Sequence, residues 1–217
     1  DIEAEGQPES FYTLHNGINV IEAQNRGNAY VFYFSDDYAN APAVRLHFAM
    51  AYENGYSDAS RHTNAGYTRM IKTAKSDIFD ILTRRMHMEK KKKNLKAKCP
   101  SNMEKLAKIL DGVIYREHEI MGMHLFNDEP RNHQFARPVK SGMFADGLGA
   151  AAAFGSFDEW VNPSNFGFWG IAHELGHNNQ ITPGFKWSGC GETTNNIYAS
   201  WVEHTVGAKT AYGVGHH

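Results

Sequence analysis

The chain has 217 residues and a formal net charge of -2, from 22 Lys and Arg against 24 Asp and Glu, and it is 41% hydrophobic and 21% charged. This describes a globular chain able to bury a substantial core, as one domain or two closely joined ones, rather than a disordered one. The near-neutral balance gives no basis for general nucleic-acid or membrane-surface binding, and no apolar run approaches the length of about 18 residues that a transmembrane helix needs.

Residues 1–17 are polar and broken by Gly6, Pro8, Asn16 and Gly17, and Asp1 to Glu5 reads as a mature or trimmed start without a signal peptide. From Ile18 the pattern changes to short runs rich in Val, Ile, Phe and Tyr, namely INVIEA, NAYVFYF and AVRLHFAM. In the last of these, Val44, Leu46, Phe48 and Met50 alternate with Arg45, His47 and Ala49, the pattern of a half-buried antiparallel strand. Tyr30, Phe32, Tyr33 and Phe34 are expected in core and sheet surface rather than in a carbohydrate site. Residues 52–62 read as a loop. Tyr67, Met70, Ile71 and Ala74 then fit one helical face, capped by Thr63 or Asn64.

FDILTRRMHMEK is expected to be extended, and the Lys90 to Lys93 run to be a solvated loop. Ser101 and Glu104 have capping-box spacing ahead of a helix lined by Leu106, Ile109, Leu110, Val113 and Ile114. Glu117, His118 and Glu119 near its end read as surface charges. His124 and His133 fall in a polar loop where nothing singles them out. The small, apolar run MFADGLGAAAAFG (residues 143–155) suits a buried strand or tight turn. Its place just before the helix discussed next makes it a candidate edge strand that pairs with an extended substrate, with Gly147 and Gly149 leaving room for bulk. The two cysteines, Cys99 and Cys190, suit a disulfide or two free thiols equally.

His173-Glu174-Leu175-Gly176-His177 carries the most chemical information. On a helix the two imidazoles share one face and can grip one metal ion, with Glu174 within reach of its water. The chain has 12 His, so coincidence has to be weighed. The competing reading is an amphipathic helix whose histidines are merely packed or solvated. Against it, an apolar helix needs a reason for such a polar load. Asn165 or Ser164 is the expected cap of that helix.

Beyond a loop holding Pro183, Gly184 and Gly189, Glu192 opens a further helix marked by Ile197, Trp201, Val202 and Thr205. Laid back on the first, that helix would let Glu192 complete a His-His-Glu zinc site with one position open, although a first-turn glutamate also simply complements a helix dipole. Asn196, one turn on, suits either an outer hydrogen bond to a ligand imidazole or a plain surface amide. Tyr198 and His204 are candidates for stabilising an oxyanion, with packing as the preferred alternative for each. Cys190 is not expected to bind metal, since Cys-x-Glu is not a usual zinc pattern.

HELGHNNQ, KWSGCGE and ETTNNIYASW, together with the upstream segments PAVRLHFAM, HTNAGYTRMIKTAKSDIFDIL and MFADGLGAAAAFGSF, resemble the enhancin-like metallopeptidase family, peptidase family M60. The likeness covers most of the chain from about residue 20 and is most specific between Gly167 and Trp201. It implies an α+β, zincin-like (gluzincin) core with one zinc ion held by His173, His177 and Glu192 and Glu174 as general base. It also implies peptide-bond hydrolysis in heavily glycosylated, mucin-like proteins by a secreted or surface-attached enzyme. Only a short tail follows the Glu192 helix, so a fragment of a larger protein is expected. The expected organisation is an N-terminal β-rich segment, residues 1–62, packed on a catalytic part, residues 63–217. The competing functions are a zinc peptidase with no glycan requirement and a surface glycan- or protein-binding domain with little activity. The intact Glu174 speaks against a purely structural metal.

Overall fold

The computed structural model describes residues 10–22, 28–37, 39–127, 129–182 and 184–208. One six-stranded mixed sheet organises them, in the order β1-β2-β3-β4-β6-β5. Its strands are β1 (Tyr56–Asp58), β2 (Ile78–Leu82), β3 (Met86–Lys91), β4 (Gln134–Val139), β5 (Met143–Asp146) and β6 (Gly149–Ala153). β1 is parallel to β2, β3 to β4 and β4 to β6, whereas β2–β3 and β5–β6 are antiparallel hairpin pairs. The helices are α1 (Asn64–Thr73), α2 (Lys92–Lys98), α3 (Met103–Ile120), α4 (Met123–Phe126), α5 (Phe154–Phe157), α6 (Phe168–Asn179) and α7 (Gly191–Val206). This is the α+β architecture expected, with His173, Glu174 and His177 on α6.

The core forms where one face of the sheet meets the long helices. Met86, Met88, Ala136, Ala150 and Ala152 from the strands are buried with Leu106, Leu110 and Val113 of α3, Ile171 and Leu175 of α6, and Ala199 and Val202 of α7. Each full burial of a Met, Leu, Ile or Val side chain contributes about 1.5–3 kcal/mol, and the alanines less. On the other sheet face, the rings of Tyr30 and Phe32 lie against Phe135, and the Tyr30 hydroxyl donates to Asp80 Oδ1 at 2.9 Å.

The first helix forms as expected, with the Thr63 hydroxyl accepting from Gly66 N. The expected strands at 28–34 and 43–50 do not form, nor does one over the described part of 18–23. Val44, Leu46, Phe48 and Met50 are exposed, and so are Phe32, Tyr33 and Phe34. Within the expected β-rich segment the described residues form one strand, β1, inside the stretch 52–62 read as loop. Alternation supplies only one condition for a strand. The other is a neighbour for its backbone groups, and none lies beside these segments among the described residues.

Three polar expectations are also overturned. Lys90 is buried in β3, where its ammonium lies 2.5 Å from Asp158 Oδ1 and over the Phe157 ring, and burial pulls its pKa below the ordinary lysine value. The capping box at Ser101 does not form. Asn102 caps α3 without a side-chain bond, and Glu104 instead accepts from the backbone of Asn64 while its own N–H donates to Asn64 Oδ1, joining the starts of two helices. Glu117 and His118 are buried rather than on the surface. Cys99 and Cys190 are both free thiols.

Glu117 sits at the α3–α6 contact, where Asn179 Nδ2 donates to its Oε2 at 2.5 Å. Burial pushes its carboxyl well above the ordinary value, so the folded chain favours the protonated form. Above the ordinary carboxylate value the unfolded chain has released this proton and the folded chain still holds it. Stability from this site is therefore full at acid pH and falls as pH rises towards the raised value, at up to about 1.4 kcal/mol per pH unit. Glu117→Gln should remove that component. Its melting temperature relative to wild type should climb between pH 5 and pH 8, and parallel thermal-melting curves for the two proteins would contradict the assignment.

Candidate metal centre

The centre is built where α6 and α7 pack together. The loop between them reverses the chain: Phe185 and Lys186 donate backbone N–H groups to Ile181 O, and Gly184 and Gly189 take positive φ values of 131° and 71°. Phe185 then packs its ring on Tyr198 of α7. The helices approach closely at Gly176, where a Cβ would collide with the Asn195 side chain, and Asn195 Nδ2 donates to the carbonyl of His173. Glycine in this motif is thus a packing requirement of the second helix. Gly167, rather than Asn165 or Ser164, is the N-cap of α6.

His173 Nε2 and His177 Nε2 lie 3.1 and 3.2 Å from the same oxygen, Glu192 Oε2. One donor atom from each of the three residues falls within 4.8 Å of the others. The far side of each imidazole is also engaged. His173 Nδ1 donates to Asn196 Oδ1 at 2.9 Å, and His177 Nδ1 to Gln180 Oε1 at 3.3 Å. Protons at Nδ1 leave the lone pairs at Nε2 facing a carboxylate oxygen. Three electron-rich atoms converging on one point repel one another unless a cation lies between them, so this donor set fits a divalent metal.

Glu174 is buried, at 5% exposure, yet lines the same cleft. Burial raises its pKa, with the neighbouring His173 and His177 opposing. The cleft has two walls. Met143, Phe144, Ala145 and Asp146 of β5, the outermost strand, form one; Asn178, Lys186 and Glu192 form the other. The edge strand expected within residues 143–155 is therefore β5. Gly149 makes no room for substrate, because its φ of 142° and its contact with the Phe135 carbonyl exclude any side chain. Gly147 has open space around it.

Tyr198 and His204 do not reach the cleft. Tyr198 is fully buried, donating to Asn179 O at 3.2 Å beside Met121, and His204 is exposed in the last turn of α7 beside Trp201. His124 and His133 are engaged elsewhere, His124 with Glu129 and Tyr115 and His133 with the carbonyl of Thr83. Sequence reasoning missed Gln180. Besides meeting His177, its amide donates to Gly191 O at 2.7 Å and to Thr194 Oγ1 at 3.1 Å, tying one imidazole to the start of the helix that carries Glu192. Its place three residues after His177, on a neighbouring helical position, was the available signal.

The family model for peptidase M60, enhancin and enhancin-like, matches residues 57–215. The chain belongs to that family. Among solved structures, a metallopeptidase from Bacteroides thetaiotaomicron superposes with a TM-score of 0.65 at 21% identity, over 73% of this chain and 28% of its own. A metallopeptidase in complex with Tn antigen gives 0.65 at 22% identity, over 73% of this chain and 30% of its own. The M60 catalytic domain of Clostridium perfringens ZmpC, in complex with the sialyl T antigen, gives 0.59 at 17% identity, over 71% and 33%. These likenesses establish the fold, and the chain spans about a third or less of each structure's length. No curated protein sequence matches the chain.

Removing the outer partner of a ligand imidazole typically weakens metal affinity 10–100-fold. Gln180→Ala and Asn196→Ala should each show a loss of about that size for zinc in competition with a chromophoric chelator, while His173→Ala should abolish stoichiometric binding. Wild-type affinity in both single outer variants would remove their assigned role.

Proposed function

We propose that this chain carries the metal centre of a zinc-dependent endopeptidase that hydrolyses peptide bonds in glycoproteins, mucin-type O-glycosylated ones foremost. The observation that carries the reading is the convergence of His173, His177 and Glu192 beside a buried Glu174, in a cleft walled by an edge strand. Membership of a metallopeptidase family supports hydrolysis. The Tn and sialyl T antigens held by two similar structures support a glycosylated substrate. Such a substrate implies a secreted or surface-attached enzyme, and no described helix is long and apolar enough to cross a membrane.

His173 Nε2, His177 Nε2 and Glu192 Oε2 would hold the ion. When bound, zinc supplies Lewis acidity, bringing water's pKa towards neutrality and drawing charge from a carbonyl. Glu174 is the general base: it lines the cleft beside the three donor atoms, takes the proton of the attacking water and passes it to the departing amine. An extended substrate lies along β5, whose outer backbone groups have no further strand beside them among the described residues. Asn196 and Gln180 hold the two imidazoles so that their lone pairs stay in the cleft.

Glu174→Gln should bind one zinc with near-normal affinity and lose at least about 1,000-fold in kcat, as expected for a general base acting with a metal. The test is cleavage of a mucin-type glycopeptide and its sugar-free counterpart, with and without chelator, followed by mass spectrometry. Near-normal cleavage by Glu174→Gln would refute the assigned base. Equal rates on both substrates would remove the glycan requirement and leave a general zinc peptidase.

A further inference from the structure

The outer strand β5 is held in place by something besides its own hairpin. Arg137 lies on β4, two strands inward, and is buried. Its guanidinium grips Asp146 at the end of β5, with Nη1 donating to Oδ1 at 3.2 Å and Nη2 to Oδ2 at 2.5 Å. To do so it crosses over β6, where Arg137 and Phe144 are both register partners of Ala151 and share its face. A methyl group at 151 leaves the passage open, and the guanidinium lies 5.9 Å from the Phe144 ring centroid on the far side. Asp146 Oδ1 also accepts the N–H groups of Leu148 and Gly149, closing the β5–β6 turn. Both Phe144 and Asp146 line the cleft. On the opposite side of the strand, Met143 meets α6 at Gly170, where a Cβ would lie 3.0 Å from its sulfur.

We propose that Arg137 and Asp146 form a positioning pair that fixes the height of β5 over the metal centre and so sets how tightly an extended polypeptide is bound there. An edge strand has hydrogen-bonding partners on one side only, so its free side is the part of a sheet most prone to shift or fray. A bidentate, charge-assisted clamp reaching from a central strand opposes that motion in a way a ladder of one neighbour does not. The alanine at 151 follows from the same device: a large side chain there would block the crossing. This rests on the proposed peptidase reading for its substrate, and on the described geometry alone for the clamp.

The test uses the zinc-loaded chain carrying Asp146→Asn, which keeps a carbonyl oxygen for the turn and removes the charge pair, with Arg137→Lys as the partner that keeps the charge and removes the fork. Each should accelerate amide hydrogen exchange across residues 143–149 at least about fivefold and leave exchange in α6 and the zinc stoichiometry unchanged. In a Glu174→Gln background each should weaken binding of an uncleaved glycopeptide about tenfold. In the active protein each should raise KM more than it lowers kcat. Unchanged exchange in β5 and unchanged peptide affinity in both variants would overturn the proposal, as would a loss of exchange protection spread evenly over the sheet and α6. If the parent binds peptide without cleaving it, and binding and exchange still respond, the positioning role stands and the peptidase reading falls.

Discussion

The close packing of α6 on α7 is the constraint from which the candidate metal centre follows. Neither helix alone holds more than part of the donor set, and Glu192 reaches the imidazoles only because the loop after Gln180 turns the chain back at the right height. Gly176 allows the approach, Asn195 bonds the carbonyl of His173, and Gln180 spans from His177 to the residue before Glu192. The same contacts that bury apolar surface between the helices thus set the donor geometry.

The sheet supplies what the helices do not, a second wall for the cleft beside the His-His-Glu cluster. Its two antiparallel pairs sit towards the edges, and the β5–β6 pair ends the sheet beside α6. Parallel interior strands demand burial on both faces, and here one face meets α3, α6 and α7 while the other receives Tyr30 and Phe32 over Phe135. The described residues before β1 therefore contribute to the fold by a few anchoring rings rather than by strands of their own.

What was legible in the sequence was local. The helical spacing of His173 and His177, the first-turn place of Glu192 and the next-turn place of Asn196 follow from a period of 3.6 residues, and α1, α3 and the extended β2–β3 region follow from patterning of the same kind. What was not legible depended on a partner distant in sequence. Val44 to Met50 alternates like a strand, but alternation does not create the neighbouring strand that would bury it. Lys90 looks like one residue of a solvated run, and Asp158, the Phe157 ring and the Phe154 carbonyl, far along the chain, make its burial tolerable. Glu104 has the spacing of a capping box and is diverted to another helix by Asn64. Tyr198 lies on the correct helix, but it turns its hydroxyl to the carbonyl end of α6 rather than into the cleft.

Glu117 and Glu174 show why a displaced pKa alone does not mark a reactive group. Both are carboxylates buried beside α6, and burial raises the pKa of both. Glu117 is sealed between α3 and α6 and meets an amide, Asn179, which accommodates a neutral acid. Glu174 opens onto a cleft, next to three donor atoms whose mutual repulsion calls for a cation. The first arrangement stabilises one protonation state; the second leaves the carboxylate able to exchange its proton with whatever enters the cleft. Access and the company of unsatisfied lone pairs, rather than the size of the shift, separate the catalytic candidate from the structural one.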